Sequence, residues 1–200
     1  LWLNLYSIFF LPDKNFNFLT LPSFILFLNF ILFAFYQIYS KNETSMSNYY
    51  LIVVLFYFIL KFTRISEFGV DLPAAVFSIL AIYYFIKFSE TNLIELREEC
   101  FYLISLFSIF SIIIKLSALP IILLPIFLYL KYFKDLKGHI FRFKYCLIYF
   151  LFTIFLIQQF IYTGCIFFPT NLTCLNVNWF NEDNVNLSYK LELINKSYSL

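Results

Sequence analysis

The stretch FYLISLFSIFSIIIKLSALPIILLPIFLYL, residues 101–130, decides how this chain folds, because Lys115 is its only charged residue. As a single helix it would measure about 45 Å at 1.5 Å per residue, overshooting a membrane core and holding Lys115 near the midplane. Ser117 as an N-cap and Pro120 in a first turn are signals with which a new helix begins. The stretch therefore predicts a hairpin, with a continuous helix as the alternative. The two predicted arms are residues 101–114 and 117–130.

The segment that follows, residues 131–144, is strongly basic. It holds five of the fourteen Lys and Arg residues of the chain and a single acid, Asp135. Short loops rich in Lys and Arg stay on the cytoplasmic side of a membrane, so this segment is predicted to be cytoplasmic. The apolar run 145–162 is then a span, and residues 163–200 form an extracytoplasmic tail.

Three further apolar runs precede the hairpin, and with their flanks they are long enough to cross a membrane core of about 30 Å. Pro73 suits the first turn of the third run, because a first-turn residue needs no N–H, and Asp71 is placed as its N-cap. The three predicted spans cover residues 18–39, 46–65 and 72–86.

Successive spans alternate in direction, which assigns a side to each remaining loop. Counting back from the basic segment, Lys115 and residues 61–71 lie outside the cytoplasm, whereas residues 41–48 and 87–99 lie inside. Residues 1–17 mix apolar with polar residues and are predicted to be an outer juxtamembrane segment.

The composition agrees with this arrangement. Hydrophobic residues make up 62% of the chain and charged residues only 13%, about half the share usual in soluble proteins. The predicted fold class is all-α, a polytopic transmembrane bundle of about six helices whose partner is the lipid bilayer. A net charge of +2 without a basic stripe excludes nucleic acid as a partner.

The N-terminus differs from the start of a secreted or membrane protein. It reads Leu1-Trp2-Leu3-Asn4, with no positively charged n-region, and the only methionine is Met46. The sequence is therefore expected to be a fragment that lacks its N-terminal part.

Among the charged residues on the predicted outer side, the candidate site residues are Arg64, Glu67, Asp71 and Lys115. If the loop is helical, Glu67 and Asp71 share one face and suit a divalent cation or a catalytic base. Arg64 and Lys115 would suit a phosphate. The alternative is structural: Arg64 pairs with Glu67, Asp71 caps a helix, and Lys115 extends to the membrane surface. The chain has no other metal-ligand cluster in its sequence.

Cys165 and Cys174 lie together in the predicted extracytoplasmic tail. An oxidising compartment favours a disulfide between them, which would close a small loop around Pro169. Two free thiols are the alternative.

The pattern Arg-x-x-Glu-x-x-x-Asp-x-Pro of residues 64–73 resembles the second outer loop of GT-C type glycosyltransferases, which use polyprenyl-phosphate-linked sugars. The turn Ile114-Lys115-Leu116-Ser117 is similar to a lysine turn in those proteins. The tail with Gly164, Cys165, Pro169 and Cys174 is similar to uncharacterised bacterial membrane proteins that we associate with the same superfamily. The resemblance covers roughly residues 18–180.

The resemblance implies a bacterial cytoplasmic (inner) membrane enzyme with a polyprenyl-phosphate sugar donor, an outer-face acceptor, and inversion assisted by a carboxylate. It implies that Asp71 and Glu67 are the acids of the site and that Arg64 and Lys115 bind the lipid phosphate. In this superfamily the principal catalytic Asp lies before the region matched here. The only acid in the preceding residues of this chain, 1–17, is Asp13. The fragment alone is therefore expected to be inactive.

Two other functions stay open from the sequence. A multi-pass transporter or flippase would show charged residues meeting at mid-membrane and internal repeats, and the sequence has no repeat. A non-catalytic membrane assembly protein would use Asp71 for stability alone.

Overall fold

The computed structural model of the chain describes residues 21–40, 45–60, 71–136 and 143–164, and every regular element in these ranges is helical. The all-α prediction is therefore confirmed for this part of the chain. A 3₁₀ helix (Leu116–Ile122) connects the fourth α-helix to the fifth. The α-helices are α1 (Leu21–Ser40), α2 (Met46–Leu60), α3 (Asp71–Glu90), α4 (Ile94–Ile114), α5 (Leu123–Lys131), α6 (Phe133–Leu136) and α7 (Phe143–Thr163).

Three of the described helices are long and apolar enough to cross a membrane, and the protein is accordingly a helical membrane protein. Two apolar helices are shorter, and α4 opens with the charged residues of Glu95 to Glu99. The six-span count thus remains a prediction. The three long spans are Pro22–Ser40, Leu72–Glu90 and Phe143–Ile161, and the shorter helices are Met46–Leu60 and Leu116–Lys131.

The chain divides into two compact units, residues 1–149 and 150–200. The first unit contains α1 to α6 and the first turns of α7. In the second unit, α7 ends at Thr163. Gly164 follows it with a φ of 68° and donates its N–H to the Phe160 carbonyl at 2.8 Å. Glycine reaches this positive φ without a steric cost, so Gly164 is the residue that stops the helix.

The helix ends differ from the predicted ones around the 87–99 segment. Helix α3 continues to Glu90, beyond the predicted end at residue 86, and α4 begins at Ile94 instead of residue 101. The 87–99 segment is therefore divided between two helices that meet in a three-residue turn. The Glu and Arg residues of this segment favour helix, so both helices extend into it. The helix ends had been predicted from the lengths of the apolar runs, which do not indicate a turn at residues 91–93.

The first unit has two apolar cores. One joins α1, α2 and α3 and includes an edge-to-face pair, Phe27 and Phe58, whose ring centroids are 4.9 Å apart. The other joins the end of α3 to α4, α5 and the start of α7, with Phe101, Ile104 and Leu128 buried at its centre. Helix α3 contributes to both cores and is the element around which the unit packs.

Pro125 explains why the second arm of the hairpin does not begin as predicted. In an α-helix begun after Ser117, residue 125 would donate its N–H to the Ile121 carbonyl, but proline has no N–H. The chain instead forms the 3₁₀ helix, and α5 begins at Leu123, which places Pro125 in a first turn. Ser108 Oγ donates to the Ile121 carbonyl at 3.5 Å. The prediction of Ser117 as an N-cap is therefore wrong, because Ser117 lies inside the 3₁₀ helix.

The carboxylate of Glu90, at the end of α3, binds the N-terminus of α2. Its Oε2 accepts a hydrogen bond from the Ser47 hydroxyl at 2.7 Å, and its Oε1 accepts one from the Ser47 N–H at 3.1 Å. Ser45 Oγ accepts the N–H of Asn48 at 3.3 Å. A negative charge beside the first N–H groups of a helix is stabilising. This contact fixes the start of α2 beside the end of α3, so the two helices run antiparallel.

The Glu90 contact can be tested by substitution. Glu90→Ala is expected to lower the free energy of unfolding by about 1 kcal/mol, because two N-terminal donors lose their acceptor. Glu90→Gln keeps an oxygen acceptor and is expected to cost about half as much. Chemical unfolding in mixed micelles, followed by circular dichroism, measures both, and equal stability of Glu90→Ala and the native protein would contradict the capping role.

Candidate functional site

Lys115 and the backbone of Asp71 belong to one end of the first unit. We call it the Lys115 end, and it comprises the start of α3, the end of α4, and Lys115 itself. Helices α3 and α4 run antiparallel, because Ser111 near the end of α4 lies against Ala74 near the start of α3. The Phe77 and Phe110 rings stack beside them, 5.4 Å apart. The opposite end, where α3 and α5 end and α4 and α7 begin, is called the Glu98 end.

Two serines and one carbonyl hold α3 and α4 together near the Lys115 end. Ser111 Oγ and Ser78 Oγ each lie 2.9 Å from the Ala74 carbonyl oxygen, and the two hydroxyls lie 2.7 Å apart. These three short distances cannot all be hydrogen bonds at once, because the two serine hydroxyls have only two hydrogens to donate. At any moment two of the three hydrogen bonds form. Small residues let the helix backbones approach closely, and Ser111 is fully buried.

Lys115 is a single extended residue between two helices, with φ −143° and ψ 115°. Its N–H donates to the Ser111 carbonyl at 3.0 Å and completes α4, while its own carbonyl accepts the N–H of Ala118 at 3.0 Å and starts the 3₁₀ helix. The break predicted at Lys115 is therefore present. The Lys115 side chain is half-buried and belongs to neither helix.

The backbone of Asp71, the first residue of α3, lies at this same end because Ala74 contacts Ser111. The Asp71 side chain is outside the described part of the structure, so its predicted roles as an acid and as an N-cap stay predictions. Arg64 and Glu67 also lie outside the described residues. They belong to the segment that joins Leu60, the last residue of α2, to Asp71.

The chain connections bring the flanks of all four predicted residues to the Lys115 end. Helix α2 runs antiparallel to α3, with Ser47 beside Glu90 at the Glu98 end, so Leu60 must lie toward the Lys115 end. A lysine ammonium here can bind a phosphate as a point charge. Among the described residues, no group of three His, Cys, Asp or Glu side chains could hold a metal ion. The proposed cation between Glu67 and Asp71 lies outside that set.

Two of the four cysteines lie in the described part of the structure and two lie outside it. Cys100 is buried in the second apolar core and Cys146 is exposed on α7, and neither takes part in a disulfide within the described residues. Cys165 and Cys174 lie outside the described residues, so their disulfide stays a prediction.

The serine contacts between α3 and α4 were not predicted from the sequence. A signal for the contacts was present: Ala74, Ser78 and Ala81 recur on α3 at intervals of three or four, and three serines do so on α4. Small residues at such spacing are typical of helix–helix interfaces in membranes. The α4 serines are Ser105, Ser108 and Ser111.

Comparison with known proteins gives one family. Its model, described as Domain of unknown function (DUF8201), matches residues 2–200. No curated protein and no solved structure matches the chain. The match covers both structural units and the predicted site residues at the Lys115 end. The chain belongs to the DUF8201 family.

Proposed function

We propose that this membrane protein is glycosyltransferase-like and transfers a sugar from a polyprenyl-phosphate-linked donor at the outer face of a bacterial cytoplasmic membrane. The observation that carries the proposal is the antiparallel pairing of α3 and α4. It brings the backbone of Asp71 and Lys115 to the same end of the unit, where the 61–70 segment is attached. The resemblance of residues 64–73 to a GT-C outer loop supplies the chemistry.

In this proposal the two cations and the two acids have separate roles. Lys115 and Arg64 bind the donor phosphate, since Lys offers a point charge and Arg a bidentate contact. Asp71 and Glu67 orient the acceptor or a divalent cation. The proposal therefore predicts that loss of a cation weakens donor binding, whereas loss of an acid removes transfer.

Donor binding is the first test. Lys115→Gln is expected to weaken binding of a polyprenyl phosphate by about tenfold, because a charge-assisted contact is lost. Native mass spectrometry of the chain purified in detergent measures the bound lipid. Lys87→Gln removes a lysine at the Glu98 end, so it serves as the matched control and is expected to bind like the native protein. Equal binding by Lys115→Gln and Lys87→Gln would contradict the proposal.

Transfer is the second test. In membranes from cells that carry the substitution, Asp71→Asn is expected to abolish formation of the glycosylated product while protein abundance and polyprenyl phosphate binding stay normal. A product level equal to that of the native protein would exclude a catalytic role for Asp71.

One observation favours the assembly-protein alternative. Near the Lys115 end, the hydroxyls of Ser78 and Ser111 are both used in helix pairing. Under that alternative, Asp71→Asn lowers protein abundance and product in parallel. A transporter is less favoured, because in the three long described spans the charged residues lie only in the terminal turns, as Lys87 and Lys144 do.

A further inference from the structure

An open groove runs along the side of the first unit between α4, α5 and the first turns of α7. Its cavity volume is about 240 Å³, and its lining is apolar and aromatic apart from the hydroxyl groups of Ser105 and three tyrosines. Ile126 on its rim is 46% exposed, so the groove opens sideways from the helices. In a helical membrane protein, that direction faces the hydrocarbon of the lipid.

The α4 wall of the groove consists of side chains that are spaced four residues apart along the helix. Phe101, Ser105 and Ile109 share one helix face and cover about 12 Å of the axis at 1.5 Å per residue. Arg97 is one step of four further toward the Glu98 end and continues the same face. The apolar groove therefore leads to a cation.

Arg97 and a second cation, Lys131, meet at the ring of Tyr132. The guanidinium carbon of Arg97 lies 5.3 Å from the ring centroid, and Lys131 Nζ lies 5.4 Å from the same centroid. Arg97 Nε donates to the Thr91 carbonyl at 2.6 Å, which fixes the guanidinium in place. Two positive charges thus border the Tyr132 ring, which lies about one helical turn beyond the groove residue Tyr129.

Neither of these cations is neutralised by a carboxylate within the described ranges. The ion pair there joins Lys144 to Glu98, with a distance of 2.6 Å between Nζ and Oε1. Neighbouring like charges at a membrane surface repel each other, and an anion between them would offset that repulsion. Groups of basic residues at a membrane surface attract anionic lipids.

We propose that this groove binds one anionic phospholipid, with its phosphate at Arg97 and Lys131 and an acyl chain along α4. Phe101 and Tyr129 line the groove, and Arg97 and Tyr132 follow them by about one helical turn toward the Glu98 end. A phospholipid presents phosphate and hydrocarbon in the same order. The site lies at the Glu98 end and is independent of the function proposed for the Lys115 end. It would take its lipid from the leaflet on the side of the basic 131–144 segment.

Native mass spectrometry of the purified chain in detergent tests the proposal with phosphatidylglycerol and phosphatidylcholine of identical acyl chains. One phosphatidylglycerol is expected to bind, at least fivefold more tightly than phosphatidylcholine. Arg97→Gln and Lys131→Gln are each expected to weaken its binding about fivefold. Lys87→Gln is the matched control, because Lys87 contacts Tyr83 and Tyr84 at the same end but does not line the groove.

Two further measurements separate the parts of the site. Ser105→Phe fills the groove without a change of charge and is expected to weaken phosphatidylglycerol binding. Inorganic phosphate at the same concentration as the lipid is expected to leave the lipid bound, because it has no acyl chain. Circular dichroism checks that each variant is helical, and the exposed Lys131→Gln carries the charge test if Arg97→Gln unfolds.

The proposal would be overturned by equal binding of the two phospholipids or by displacement of phosphatidylglycerol with equimolar phosphate. It would also be overturned if Lys131→Gln bound phosphatidylglycerol as tightly as Lys87→Gln.

Discussion

Ser111→Leu is expected to lower the free energy of unfolding by about 3 kcal/mol, because a larger side chain must enter a fully buried position between α3 and α4. The side chain would displace the hydroxyl that lies 2.7 Å from Ser78 Oγ and 2.9 Å from the Ala74 carbonyl oxygen. Helices packed this closely have no space for added methylene groups. Chemical unfolding in mixed micelles measures the change.

Two control variants separate volume from hydrogen bonding. Ser111→Ala removes the hydroxyl without adding volume, and hydrogen bonds between membrane helices average about 0.6 kcal/mol, so it is expected to cost under 2 kcal/mol. Ser117→Leu adds the same volume at an exposed position of the 3₁₀ helix and is expected to change stability by less than about 0.5 kcal/mol. If Ser111→Leu were as stable as Ser117→Leu, the close packing of α3 on α4 would be refuted.

Lys144→Ala is expected to lower the free energy of unfolding by about 2 kcal/mol, and by more than removal of its partner's charge in Glu98→Gln. The Glu98 side chain is only 8% exposed, whereas that of Lys144 is 40% exposed. Loss of the lysine removes a cation that lies 2.6 Å from a buried carboxylate, and breaking a fully buried pair costs about 3–5 kcal/mol. The partial exposure of Lys144 reduces that cost.

Glu98→Gln leaves a lysine that water can solvate, so its expected cost is below about 1 kcal/mol. The double variant is expected to be more stable than Lys144→Ala, since the buried carboxylate that lost Lys144 is also gone. The same mixed-micelle unfolding experiment measures all three proteins. A larger loss for Glu98→Gln than for Lys144→Ala would show that burial of the carboxylate does not control the energetics of this pair.

The reversal at Lys115 could be predicted from the sequence because a charge at mid-membrane is costly and a turn removes the cost. The start of α5 was predicted wrongly. Pro120 was interpreted as a first-turn residue, but Pro125 also needs a first turn, and only the structure shows that the chain satisfies both with a 3₁₀ helix followed by α5. Two prolines five residues apart were a signal that could have been used.

The helix contacts could not be predicted in the same way. Helix α3 is apolar on every side, so hydrophobic periodicity does not show which face meets α4. The Ser78 and Ser111 contact depends on that choice of face, and so does the groove beside Ser105. The structure places Lys115 and the backbone of Asp71 at one end of the first unit, while the site itself, with Arg64 and Glu67, stays a prediction.

The short second arm of the hairpin has a consequence for biosynthesis. Helix α4 opens with charged turns, and the apolar helix Leu116–Lys131 falls below the length of an independent span. Neither arm alone contains an uncharged segment long enough for the insertion machinery to recognise as a span. The two arms are therefore expected to enter the bilayer together, as one cooperative unit, with Lys115 at its leading tip.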